Sequence, residues 1–247
     1  MRDKGLPLDP EIIWGVRTID KYTTSANQQL SEGTRRNYRG LLMRISEVLV
    51  PDQHPKRTTP LNKKHAAEPY TRGEMAAFRD WAASQLTAAK RDRAMLMLVL
   101  CAGAGVRPSE IPLIHHEHVS VDDDGILITV DSETESRDIP LLFEWEEWMT
   151  VLLERRPTDE SLWGRVNRRT THNLTSSFTE NTYGRPPRAD RLRHTWLAHH
   201  LTVGIPMKEL LRAAGVAKMD HLPQLLEHVA ARDEADYRRI LRSETTA

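Results

Sequence analysis

Two arginines stand in surroundings that could do chemistry: Arg107 in AGVRPSE and Arg193 in RLRHTWLAHHL. A guanidinium is charged at every physiological pH and presents a planar fork of donors. Two of them converging on one point make a clamp for a phosphate. Arg107 follows an apolar run, MLMLVLCAGAG, whose small residues and glycines allow a tight turn. Arg193 lies at the start of a helical pattern, with His194 and Thr195 directly behind it.

Composition narrows the field. The 247 residues suffice for one large domain or two smaller ones, and 39% hydrophobic with 28% charged residues reads as globular. No stretch approaches the roughly 20 apolar residues that cross a bilayer. The opening MRDKGLPLDPEII has no apolar signal-like core, so the expected location is the cytoplasm. Cys101 is the sole cysteine, so neither an internal disulfide nor a cysteine zinc cage is expected, and its apolar neighbours make it a core residue. His199 and His200 are not expected to hold a metal, and no cofactor is expected. Net charge is zero, but it is unevenly spread. Residues 1–66 hold 12 basic and 7 acidic groups, residues 161–247 hold 14 and 9, and residues 110–160 hold 3 and 15. Two basic flanks around an acidic middle keep nucleic acid open as a partner, because local field outweighs the sum.

The elements that must position the arginines are mostly helical. One helix is expected over 11–26, and another over 33–50 with Ser31 as N-cap. Leu41, Leu42, Ile45, Val48 and Leu49 are expected on its apolar face, with Arg35, Arg36, Tyr38, Arg39 and Arg44 opposite. PDQHPKRTTPLNKKHAAEP, proline-rich and basic, reads as a linker. Thr71 with Glu74 forms a capping box that restarts a helix. RDRAMLMLVLCAGAG reads as a buried helix; GILITV, DSETES and RDIPLL read as a β-hairpin. Helices follow over 142–156, near 167–182, through LRHTWLAHHL and from Pro206 onward, with Trp145 and Trp148 in the core. The expectation is a mainly α protein with one small sheet (α+β). It comprises a short helical domain at 1–50, a basic linker at 51–67 and a larger domain at 68–247.

AGVRPSE and RLRHTWLAHHL resemble the two arginine boxes of the tyrosine recombinases (phage integrase family). The resemblance covers roughly 70–240 and implies that family's catalytic-domain fold, with residues 1–50 as a short core-binding-like domain. It also implies DNA recombination as the function and double-stranded DNA as the partner, with a homo-oligomer on DNA and neither a membrane nor a small-molecule substrate. In the family the two arginines hold the scissile phosphate while a tyrosine attacks it. By resemblance Arg107 and Arg193 take those roles, Glu110 braces the arginines, and His194 packs behind them. If DNA lies between the two segments, Arg35, Arg36, Arg39, Lys56, Arg57, Lys63 and Lys64 are expected to contact its phosphates.

The chain departs from the family pattern in three places. Asp190 stands where the family has a histidine, and a carboxylate there repels phosphate. The family's hairpin lysine is missing: the turn is DSETES, with Ser132 or a neighbour at that position, and no lysine occurs from 91 to 207. Without gaps, HTWLAHHLTVGIPMKELLRAAGV puts Val216 at the next histidine position and Leu225 or Leu226 at the nucleophile. Alternatively, LLEH supplies His228, and Tyr237 nine residues later supplies the nucleophile, at the expense of about a dozen inserted residues. Three readings follow. The favoured one is a DNA-binding member whose strand cleavage is weak or lost, acting as an accessory or regulatory factor. The second is an active recombinase using Arg107, Arg193, His228 and Tyr237. The third is a helical protein-interaction module that no longer binds DNA.

Overall fold

The computed structural model describes residues 9–53, 68–131, 136–165, 173–217 and 222–242. The linker residues 54–67, and with them Lys56, Arg57, Lys63 and Lys64, lie outside the described residues, as does the hairpin turn at 132–135. The chain forms two compact units, Met1–Lys64 and His65–Ala247.

In the first unit, Asp9 caps α1 (Pro10–Trp14), accepting the Glu11 N–H at 2.9 Å, with Pro10 at the first helical position. Gly15 adopts extended backbone, and the chain restarts as α2 (Val16–Lys21) followed by a wide turn over Tyr22–Ala26. The single helix expected over 11–26 is therefore broken by glycine. α3 (Glu32–Leu49) begins where Ser31 accepts the Thr34 N–H at 3.2 Å, as its cap chemistry requires. Its packed face differs from the expected one. Met43, Ser46 and Val50 are buried, whereas Val48 is 79% exposed and Leu41 and Leu49 lie open. Positions 36, 39, 43, 46 and 50 follow one helical stripe, so the arginine-bearing side is the side turned toward α1 and α2. Two polar contacts select it. Arg39 meets Asp20 at 2.8 Å, and the Ser46 hydroxyl donates to the Trp14 carbonyl at 2.7 Å.

In the second unit, α4 (Arg72–Ala83) starts with the expected capping box. The Thr71 N–H donates to Glu74 Oε2 at 2.8 Å, and the Glu74 N–H donates to Thr71 Oγ1 at 3.2 Å. α5 (Ala88–Leu98), capped by Thr87, continues into a wide turn over Val99–Gly103 that is buried throughout. Burial also pushes the Cys101 thiol up to about 12, so it stays a neutral packing group. β1 (Val119–Asp122), β2 (Gly125–Asp131) and β3 (Ser136–Pro140) form one antiparallel sheet in that order, with Ile128 opposite Val119 and Ile139. β1, mostly exposed and only four residues long, carried too little alternation to be read beforehand. β2 buries Ile126, Ile128 and Val130; β3 buries Arg137 and Ile139 by the same period of two.

α6 (Glu146–Arg155) and α7 (Leu174–Thr179) follow, then α8 (Ala189–Val203), which packs across the turn at Val99–Gly103. The C-terminal region is three short helices: α9 (Met207–Ala214), α10 (Leu222–Leu226) and α11 (Glu234–Leu241). The core gathers Leu96–Leu100, Ile111, Ile114, Ile128, Ile139, Trp145, Met149, Leu152 and Trp196. Trp145 is fully buried, with Trp148 packed edge-on at 5.9 Å, as expected of core residues.

Gly105 ties this core to the first arginine box. Its φ is +60°, and a Cβ there would run into the ring of Trp196. Left-handed strain and overpacking together predict that Gly105→Ala lowers unfolding free energy by roughly 2–4 kcal/mol. Gly40 sits on α3 with open space around it, so Gly40→Ala is expected to raise stability by about 0.5–1 kcal/mol. Urea denaturation of both variants checks the contrast; equal effects would refute it.

Candidate phosphate-binding site

Arg107, Arg137 and Arg193 arrive from a turn, a strand and a helix, and all three end on the C-terminus of α9. Arg137 Nε donates to the Ala213 carbonyl at 3.1 Å, Arg193 Nη2 to the Ala214 carbonyl at 2.6 Å, and Arg107 Nη2 to the Gly215 carbonyl. Three successive carbonyls at a helix end, lacking intrahelical partners and carrying the negative end of the helix dipole, are natural acceptors for cations. Gly215 permits the geometry. It closes α9 in the left-handed conformation, φ +63°, and a Cβ there would sit 2.8 Å from the Arg137 guanidinium.

Glu110 holds the cluster from the other side. It accepts the Arg107 backbone N–H at 2.8 Å, Arg107 Nη1 at 2.8 Å and Arg137 Nη2 at 2.6 Å. Burial would raise its pKa, but the Arg137 hydrogen bond, the Arg107 N–H and both positive charges outweigh it and hold the carboxyl below its usual range. Arg193 also donates to the Gly105 carbonyl. Burial, together with repulsion from Arg107 and Arg137, lowers its pKa to about 10, which leaves it charged at neutral pH.

Exposure separates the three. Arg137 is 4% and Arg193 9% exposed, whereas Arg107 is 36% exposed. With five N–H donors on each guanidinium, only Arg107 keeps donors on an accessible face. Arg137 was not foreseen as a site residue. Its signal was available in the alternation of RDIP, where it shares parity with buried Ile139 and so had to face inward with a partner.

The other expected site residues fall elsewhere. Asp190 lies in the first turn of α8 and forms a fork with Arg188, at 3.1 and 2.6 Å. Burial pushes its pKa up, but the Arg188 hydrogen bond and charge and the Arg191 N–H pull it down further, so it is a neutralised carboxylate. His194 is half-buried on α8 and near enough to Asp190 to add to that lowering. Val216 follows Gly215 and packs against the core, and Leu225 is buried on α10. His228 is exposed, and Tyr237 is 53% exposed on α11, a helix with no buried residue. Among the described residues neither side chain has a hydrogen-bond partner, and the bonds of Arg107 and Arg193 go to Glu110, Gly105, Ala214 and Gly215 instead. Arg39 is held by Asp20, and Arg35 and Arg36 are half-buried. Among the described residues no group of histidine, cysteine, aspartate or glutamate is placed to hold a metal, and no helix is long and apolar enough to cross a membrane.

The family model described as "Phage integrase family" matches residues 74–231, and the chain belongs to that family. Solved structures share the fold. The Tn1549 transposon integrase in complex with circular intermediate DNA aligns with TM-score 0.61 at 13% identity, over 92% of this chain and 84% of that one. A lambda integrase dimer bound to a COC′ core site aligns at 0.60 and 13%, over 94% and 87%. The XerH site-specific recombinase bound to difH substrate aligns at 0.59 and 13%, over 94% and 71%. No curated protein matches the sequence.

The Glu110 contacts predict a pH dependence. With its folded pKa depressed, Glu110 contributes stability above its unfolded pKa, near 4.5, and that contribution fades as pH falls through the folded value. Glu110→Gln is expected to lower stability by roughly 3 kcal/mol at pH 7, because two guanidiniums lose their counter-charge. The gap between variant and wild type narrows toward pH 3. Denaturation midpoints measured at pH 7, 5 and 3 test it, and a gap independent of pH would sink the assignment.

Proposed function

We propose that this phage integrase family member is a double-stranded DNA-binding recombination protein whose own strand cleavage is weak or absent, serving an accessory or regulatory role in the cytoplasm. Residues 1–50 serve as a short core-binding-like domain, 51–67 as a basic linker and 68–247 as the catalytic-like domain. A homo-oligomer on DNA is the proposed assembly, with no cofactor and no small-molecule substrate. The supporting solved relatives are themselves described in complex with DNA.

One observation carries the reading on activity. Arg193 and Arg137 are buried against the end of α9, leaving Arg107 as the accessible arm of the cluster. Transesterification at a phosphodiester needs cations on the non-bridging oxygens, a general acid and a nucleophile. Val216 and Leu225 offer neither a proton nor an attacking oxygen, and the loss of general acid–base help alone costs about 10²–10⁴ in rate. The phosphate contact survives better than the chemistry.

Duplex affinity is expected to fall steeply with salt. Arg107→Ala should weaken binding about tenfold, the worth of one charge-assisted phosphate contact. Because Arg39 is held by Asp20, neutralising Arg35, Arg36 and Arg39 together should reduce the salt slope by about two rather than three. Fluorescence anisotropy against sodium chloride measures both, and salt-independent or absent binding would support the protein-interaction reading.

Covalent chemistry is tested separately. Incubated with DNA carrying its own attachment site, the protein is expected to give no denaturant-stable adduct. An adduct that disappears in Tyr237→Phe would establish the active recombinase and overturn the proposal.

A further inference from the structure

We propose that a cleft between α4 and the approach to α8 binds one unstacked nucleotide, a base lifted out of a duplex or exposed in a single strand, with its phosphate on Arg185. The ligand class rests on the DNA-binding reading above. The cleft, about 550 Å³, falls within the roughly 300–1,000 Å³ of small-ligand pockets. Tyr70, Phe78, Trp81 and Tyr183 form its aromatic walls, and Asp80 and Arg185 bring one charge of each sign.

The walls are preset for a flat ring. Tyr70 and Phe78 meet edge to face at 4.6 Å, and the Arg191 guanidinium lies 3.8 Å from the Tyr70 ring centroid. Trp81 forms the floor, and its indole N–H has no acceptor among the described residues. Trp81 is 6% exposed, and its Cδ1 edge faces Gly184, where an added Cβ would make ordinary contact at 3.5 Å. Tyr183 is 72% exposed, an unusual place for a large ring, yet its backbone is fixed. Buried Gln85 donates through Nε2 to the Trp81 carbonyl at 2.8 Å and the Tyr183 carbonyl at 3.0 Å, and its Oε1 accepts the Tyr183 N–H at 3.0 Å. An aromatic ring displayed on a rigid loop loses little entropy when another ring stacks on it.

The charges select among ligands. Arg188 is paired with Asp190 and Arg191 with Glu74; Arg185 acts on Glu74 only at longer range, and among the described residues neither Arg185 nor Asp80 makes a contact ion pair. A free phosphate would meet Asp80 and Glu74 as well as Arg185, so anion binding alone is poorly served. A nucleotide fits both signs: its base edge offers N–H donors to Asp80, its face stacks on Tyr183, and its phosphate reaches Arg185. The cleft opens on the same helix, α8, that carries Arg193.

Duplexes with one unpaired 2-aminopurine, the matching fully paired duplexes and a short single strand are titrated with the full chain, following fluorescence and anisotropy. The bulged duplex is expected to bind about tenfold tighter than the paired one. Tyr183→Ala and Arg185→Ala, both at exposed positions, should each cut that preference to twofold or less while paired-duplex affinity stays within twofold of wild type. Equal wild-type affinities, or a preference that survives Tyr183→Ala, overturn the cleft assignment while leaving the DNA-binding reading intact. Binding to the single strand without any binding to paired duplex keeps the cleft and overturns the general DNA reading. Binding to none of the three overturns both.

Discussion

Three guanidinium groups packed around one helix end would repel one another strongly without a negative group between them. Glu110 supplies it, gripping Arg137 at 2.6 Å and Arg107 at 2.8 Å in a largely buried setting. The carbonyls of Ala213, Ala214 and Gly215 supply one further acceptor to each arginine, and the Gly105 carbonyl a second to Arg193. Through these contacts the turn after the buried α5 segment, the third strand, α8 and α9 are joined at a single point. Buried pairs of this kind contribute little net stability over an apolar substitute, but breaking one side leaves an uncompensated charge. Their effect is to specify where four elements meet.

That arrangement also decides how the site can work. Arg107 is the one of the three open to solvent, because Arg137 is turned inward onto Glu110 and the Ala213 carbonyl, and Arg193 onto the Gly105 and Ala214 carbonyls. The two arginines of the boxes therefore differ in role: one faces outward, the other is part of the frame. Asp190, which on charge alone should repel DNA, is tied in a fork to Arg188 and so brings little net negative charge. The cluster is a frame in which every arginine is held, with the Arg107 side chain the most exposed of the three.

Much of the layout was legible beforehand. The Thr71–Glu74 capping box, the Ser31 cap, the apolar α5 segment and the β2–β3 pairing each rest on interactions within a few residues, which a chain carries with it. The packed face of α3 was not legible. Its apolar residues suggested one face, but Asp20 and the Trp14 carbonyl, on other helices, recruit Arg39 and Ser46 to the opposite one. The short strand β1 pairs with its immediate neighbour β2 but shows no alternation of its own, since three of its four residues are exposed.

For the site, the sequence by itself determined which residue types were present and which were missing: two boxed arginines, an acid in place of a histidine, a hairpin without lysine, and valine and leucine where chemistry would need polar groups. Only the tertiary structure decided that Arg137 joins the pair, that Glu110 serves two arginines at once, and that Arg193 is sealed against Gly105 and Ala214 while Arg107 stays open. The physical reason is that donor and acceptor pairing across 21 to 108 positions of sequence depends on which elements pack together, and burial is a property of the assembled core rather than of any local motif.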